Sequence, residues 1–164
     1  MKAFHFHRLL PILASLACAG ELTPADAETP ETFTAKAVVG ILGPKEGLTP
    51  ANYEKTQAAG QHIITSLLPV AKKRALVQMG LGPNDGLSIT VNAVPDSSAF
   101  ELHATAPSSR LAAEFANVTA GQIVQALPQA DPTAVRQLEL LSGEPPILLI
   151  LEKAEPALIT QVRP

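Results

Sequence analysis

The sequence has no tryptophan, one tyrosine and five phenylalanines in 164 residues, so aromatic rings cannot fill its interior and any core must be aliphatic. A single cysteine, Cys18, excludes an internal disulfide and any site built on several thiolates. Basic residues are not in excess: 12 Lys and Arg stand against 15 Asp and Glu, a net charge of −3, which argues against nucleic acid as a partner captured by charge. Apolar runs of the roughly 20 residues needed to span a bilayer are also missing. What remains is a chain that is 46% hydrophobic and 16% charged, neither disordered nor highly charged. Its length suits one domain of ordinary size plus a targeting segment.

The N-terminus has the pattern of an export signal. Lys2 and Arg8 form a small basic region, an apolar stretch runs from Leu9 to Ala17, and Ala17-Cys18-Ala19 supplies a small-x-small cleavage site. Ala25-Asp26-Ala27 offers a second site downstream. Cleavage after Ala19 is expected, which places the protein in the periplasm or outside the cell; an uncleaved segment would leave it tethered by its N-terminus. Ser15-Leu16-Ala17 before Cys18 is a poor lipidation signal. Cleavage removes Lys2, Arg8 and the only cysteine but no acid, leaving 10 cations against 15 acids, a net charge of −5. The domain plan is therefore a signal peptide over 1–19, a polar leader over 20–31 and a single α/β domain over 32–164.

Within that domain the spacing predicts β-α-β-β-α-(α)-β. Phe33, Ala35, Ala37, Val39 and Ile41 alternate onto one face of a first strand. Thr49-Pro50 opens a helix whose apolar residues keep helical spacing to about Met79, with Gly80 as its cap. Pro69 must kink or break it, and a break is expected because an uninterrupted helix would overhang a small sheet. Leu87, Ile89, Val91 and Ala93 mark a second strand, and Phe100, Leu102, Ala104 and Ala106 a third. Ser108 or Ser109 caps a helix running to Leu127, a short helix spans 132–141, and a last strand begins at Ile147. This order is the ferredoxin-like plan, an α+β two-layer sandwich with an extra short helix before the last strand. One feature jars with a lone copy of that plan. The last strand should lie at a sheet edge, yet Ile147, Leu148, Leu149, Ile150 and Leu151 are apolar on both faces. Either the leader or the 132–141 helix covers them, or they form a subunit contact.

Residue types that carry chemistry do not gather in any recognisable spacing. His5 and His7 leave with the signal, and His62 and His103 have no ligand spacing around them, so no metal or other cofactor is expected. Ser97-Ser98 and Ser108-Ser109 fit a turn and a cap. Gly40 to Lys45 lacks the phosphate-loop spacing, and Pro44 removes an amide such a loop would use. Glu101, Glu114, Glu152 and Glu155 show no acid–base pairing. Lys72-Lys73-Arg74 reads as a solvated helix face, or else a patch for an acidic polymer. Asn117-Val118-Thr119 matches the glycosylation sequon but falls inside a helix. Catalysis is therefore not expected.

Six segments in order resemble the periplasmic domain of bacterial polysaccharide chain-length determinants, the Wzz-type co-polymerases. They are the strand Thr32 to Ala37, the pair Thr56-Gln57 with Ser66, the closing Met79-Gly80-Leu81, the strands from Leu87 to Leu102, the helix word Ala112-Ala113-Glu114-Phe115-Ala116-Asn117, and Leu151 to Pro156. The resemblance implies a ferredoxin-like α/β domain that acts by assembly, without catalytic residues. Its partners would be copies of itself, a membrane-bound polysaccharide co-polymerase, or polysaccharide. The family's long helical arm before the last strand is replaced here by residues 128–146, and its membrane helices have no counterpart beyond the N-terminal signal. The implied role is an accessory of polysaccharide biosynthesis or export in the cell envelope. A rival reading is a binding module sharing only the fold, which would take a polymer or peptide on the sheet face around Lys36, Thr90, Asn92 and His103.

Overall fold

The computed structural model describes residues 31–42 and 50–157. The expected signal peptide and the Thr49 cap lie outside the described residues. Among the described residues four strands form one sheet: β1 (Phe33–Leu42), β2 (Ser88–Ala93), β3 (Ala99–Ala106) and β4 (Ile147–Glu152). The same residues form the helices α1 (Pro50–Gln78), α2 (Ser109–Ala126) and α3 (Pro132–Ser142), with a short 3-10 turn at Leu127–Gln129. The sheet order is β2-β3-β1-β4 with every neighbouring pair antiparallel. Each main helix thus joins two parallel strands that have a third strand between them, which is the ferredoxin-like βαββαβ sandwich with an extra helix before its last strand.

Alternation in β1 sets the two layers. Ala35, Ala37, Val39 and Ile41 are buried against the helices, and they face Ala104, Leu102, Phe100 and the inner side of β4 in register. Small residues dominate both helical faces. From α1 come Ala59, Ala71 and Ala75 beside Ile63, Ile64 and Leu67; from α2 come Ala112, Ala113, Ala116 and Ala120 beside Phe115 and Ile123. Phe100 and Phe115 are the fully buried rings of this core.

Local chemistry fixes the helix ends. The Ser108 hydroxyl accepts from the Leu111 amide at 3.3 Å, which settles the choice of cap for α2. Asp131 accepts from Thr133 N–H at 2.9 Å and Pro132 follows it, the ordinary start of a helix such as α3. At the end of α1, Gly80 has φ +69°, while Leu81 N–H donates to Leu76 O at 2.9 Å and Gly80 N–H to Val77 O at 3.1 Å. Those two bonds are a Schellman cap, and the left-handed backbone it requires suits glycine.

Pro69 does not break α1, which runs unbroken for 29 residues. An interior proline costs about 3 kcal/mol by losing one backbone bond. Ile63, Ile64 and Leu67 before it and Ala71, Ala75 and Leu76 after it are all buried on the same body, and that continuous packing outweighs the lost bond.

A Cβ at Gly60 of α1 would stand 2.6 Å from Ile41 Cδ1 and 3.0 Å from Phe100 Cζ, both buried. Gly121 of α2 has open space around it. Gly121→Ala should therefore stabilise the fold by about 0.5–1 kcal/mol through helix propensity. Gly60→Ala should destabilise it, because overpacking of about 1–3 kcal/mol exceeds the same gain. Urea midpoints moving in opposite directions for the two variants would bear this out; a rise for both would refute the close approach.

Candidate functional site

The face of the sheet away from the helices divides into a polar half and an apolar corner. Lys36, His103 and Thr90 form one row across β1, β3 and β2, and Val38, Glu101 and Asn92 the next. The structure thus brings together the four residues expected on this face. Lys36 Nζ lies 3.1 Å from Glu101 Oε1, and His103 Nε2 2.9 Å from Glu101 Oε2. The hydrogen bond from Lys36, followed by that from His103, holds the Glu101 carboxyl below its ordinary range, and Glu101 in turn raises Lys36. Lys36 and Glu101 are solvated, so the cluster orients side chains more than it stabilises the fold.

The apolar corner lies where β4 meets β1. Leu149 pairs with Gly40 and Ile147 with Leu42, so these side chains share the outer face. A register shift opposite Val38 and Val39 leaves Leu151 as an extra residue in β4. Its side chain folds over Gly40, within 2.5 Å of where a Cβ there would stand. Ile147, Leu149, Ile150 and Leu151 are 53%, 41%, 36% and 55% exposed, and Leu42 beside them 46%. Leu148 corrects the expected contact set. It pairs with Ile41 on the inner face, is 2% exposed and belongs to the core, so its side chain is not part of the exposed patch. Of the two expected covers, the 132–141 helix packs chiefly on α1, and the leader lies outside the described residues apart from Glu31. Leu42 was not expected here, although an apolar side chain at the outward parity of β1 was the available signal.

Two side chains lock this corner and its opposite end. Asn117 of α2 donates to Ala154 O at 2.9 Å and accepts from Ala154 N–H at 2.8 Å, holding the chain that leaves β4 as a neighbouring strand would. Both polar atoms of that amide are engaged, which leaves the sequon at Asn117 a structural residue. Gln57 of α1 donates to Val94 O at 2.8 Å and Ser97 O at 3.2 Å, tying the β2–β3 turn to the helical layer.

Other candidates lie elsewhere. His62 is 3.1 Å from Asp131, whose carboxyl is held low first by the Thr133 amide and then by His62. Lys72, Lys73 and Arg74 flank Val70 and Val77 on the exposed side of α1, and Arg74 donates to Gln129 at 3.1 Å. The hydroxyl of Thr119, fully buried on α2, has no hydrogen-bond partner among the described residues. Among those residues no three His, Cys, Asp or Glu side chains gather closely enough to hold a metal ion, and no helix is long and apolar enough to cross a membrane.

No protein-family model matches the chain, and no curated relative matches it in sequence. Similar solved structures include a C-terminal segment of the alpha subunit of aIF2 from Pyrococcus abyssi (TM-score 0.40) and the intact alpha subunit from the same organism (TM-score 0.42). Both are 20% identical and cover 78% of this chain, which in turn spans 53% and 37% of theirs. A likeness of this degree says nothing of activity or partner.

Replacing Asn117 by Ala leaves the Ala154 amide and carbonyl unpaired in a half-buried setting, at a cost of about 1–3 kcal/mol. Hydrogen exchange at Ala154 should accelerate sharply in Asn117→Ala while the Phe100 amide in β3 changes only as global stability does. Equal acceleration at both positions would show that the pair is not a local lock.

Proposed function

We propose that the chain is an exported, non-enzymatic accessory of polysaccharide assembly or export, acting by protein–protein docking in chain-length control. The observation that carries this reading is the Asn117–Ala154 lock. The helix word ending at Asn117 and the strand word from Leu151 to Pro156, both drawn from the resemblance to Wzz-type co-polymerases, are held together by two reciprocal hydrogen bonds between Asn117 and Ala154, 37 residues apart in the chain. Thr56-Gln57, a third such word, places the side chain that fastens the β2–β3 turn. Three residues of the resemblance, Gln57, Asn117 and Ala154, thus make contacts that fix the fold.

Docking follows from the edge beside that lock. Ile147, Leu149, Ile150 and Leu151 leave a sheet edge apolar and exposed, an arrangement that solitary domains avoid with charges, prolines or covering segments. Copies of the chain, or a membrane-bound co-polymerase with the same domain, are the partners such an edge suits.

A second reading rests on a different observation. The row Lys36, His103 and Thr90, with Glu101 and Asn92 beside it, is an open polar surface on which a polymer or peptide could be held by hydrogen bonds. Under that reading the protein is a periplasmic binding module, and polysaccharide length does not depend on it.

Surface and secreted polysaccharide from cells with and without the gene separates the two. The docking reading expects a shift in modal chain length with total sugar roughly unchanged. An identical size distribution contradicts it and leaves the binding module.

A further inference from the structure

The exposed edge of β4 reads almost the same in both directions. Its five residues are Ile147, Leu148, Leu149, Ile150 and Leu151, with Pro145 and Pro146 before them and Glu152 and Lys153 after. An antiparallel partner strand must match inner face to inner face and outer to outer, because side chains alternate along each strand. A second copy of β4 centred on Leu149 meets that demand. It sets Ile147 against Leu151, Leu149 against its own counterpart, and Leu148 against Ile150.

We infer that the protein is a twofold dimer in which β4 pairs antiparallel with β4 of a second copy about Leu149, making one eight-stranded sheet. This rests on the docking reading above and names its partner.

Register supports that centre. Moving it to Leu148 places Pro146, which has no N–H, opposite Ile150. Moving it to Ile150 places Leu148 opposite Glu152 and Ile147 opposite Lys153. Centring on Leu149 pairs five apolar residues with five apolar residues, and the prolines and charges fall outside the ladder. Charge agrees as well, since this register brings Lys153 of each copy alongside the Glu144 end of the other, and both residues are exposed. The extra residue at Leu151 lies at the end of the ladder, so Ile147 to Ile150 keep regular spacing around the axis.

The area is of a useful size. Leu42, Ile147, Leu149, Ile150 and Leu151 leave uncovered the equivalent of more than two whole leucine residues per copy. That is on the order of 400 Å², half of the roughly 800 Å² per partner of a standard interface, before the newly paired backbone and flanking residues are counted. A twofold axis through the sheet puts both helical layers on one side. The opposite side then becomes one continuous face carrying two Lys36–Glu101–His103 clusters about an apolar centre.

A residue on a twofold axis faces itself, which gives a direct test. Directly opposed Cα atoms in an antiparallel pair are about 4.5–5.5 Å apart, within disulfide reach. In the full gene product carrying Cys18→Ser, Leu149→Cys should cross-link to a dimer under mild oxidation. Leu140→Cys on α3, 78% exposed and outside the proposed ladder, should stay monomeric. The unoxidised parent should have the mass of a dimer in solution, and Leu149→Lys that of a monomer with an unchanged circular dichroism spectrum. A monomeric parent, or cross-linking no faster at 149 than at 140, overturns the dimer, and the cysteine pair decides the matter if the lysine variant fails to fold. The two readings fail separately. A monomeric parent whose deletion shifts polysaccharide length removes the dimer and keeps the docking role, whereas a dimer whose loss leaves length unchanged does the reverse.

Discussion

The fold depends on how closely α1 can approach the sheet. With rings scarce, the space between the layers cannot be bridged by bulk, so the layers must come together until aliphatic side chains touch. Gly60 makes that contact: the helix backbone sits directly on Ile41 and Phe100, with no room for a Cβ. Alanines at 59, 71 and 75, and at 112, 113, 116 and 120 on α2, extend the same close spacing along both helices. An interface of small residues gains little per side chain but packs without voids, and it tolerates a proline at 69 because contact is maintained on both sides of it.

Once the helices are seated, the two sheet edges differ in kind. β2 presents Ser88, Thr90 and Asn92 outward, all exposed and polar, as suits an edge that faces water. β4 presents leucines and isoleucines. Its inner residue Leu148 is held in the core, and the chain beyond it is held by Asn117, so the strand is fixed while its outer row and free edge stay open. A fixed apolar edge differs physically from a frayed one: it needs no ordering when a partner strand arrives, which lowers the cost of association.

Much of this was legible in the sequence, and the exceptions have physical causes. Alternation in Phe33 to Ile41 and in Phe100 to Ala106 placed those strands, because one-sided burial leaves a period of two. The continuity of α1 through Pro69 was not legible, since a local rule about a lost backbone bond does not count tertiary packing on either side. Nor was the division of β4. Five apolar residues in a row carry no period, so only pairing with Ile41 and Gly40 shows that Leu148 is core while Ile147 and Leu149 are surface. The four polar residues of the open sheet face were placed correctly by strand parity, but Glu101, which joins Lys36 to His103, was noted only as an unpaired acid. Asn117 and Ala154 belonged to words singled out by resemblance, and nothing local in either word shows that they bond to each other.

Hydrogen exchange at the two edge strands, measured on the full chain at low and high protein concentration, tests the central claim that one edge of this sheet is built to be covered and the other to face water. The account predicts that amides of Ile147 to Leu151 become protected as concentration rises, while those of Ser88 to Ala93 do not change. Outward-pointing amides of β4 that exchange as freely as those of β2 at every concentration would contradict it.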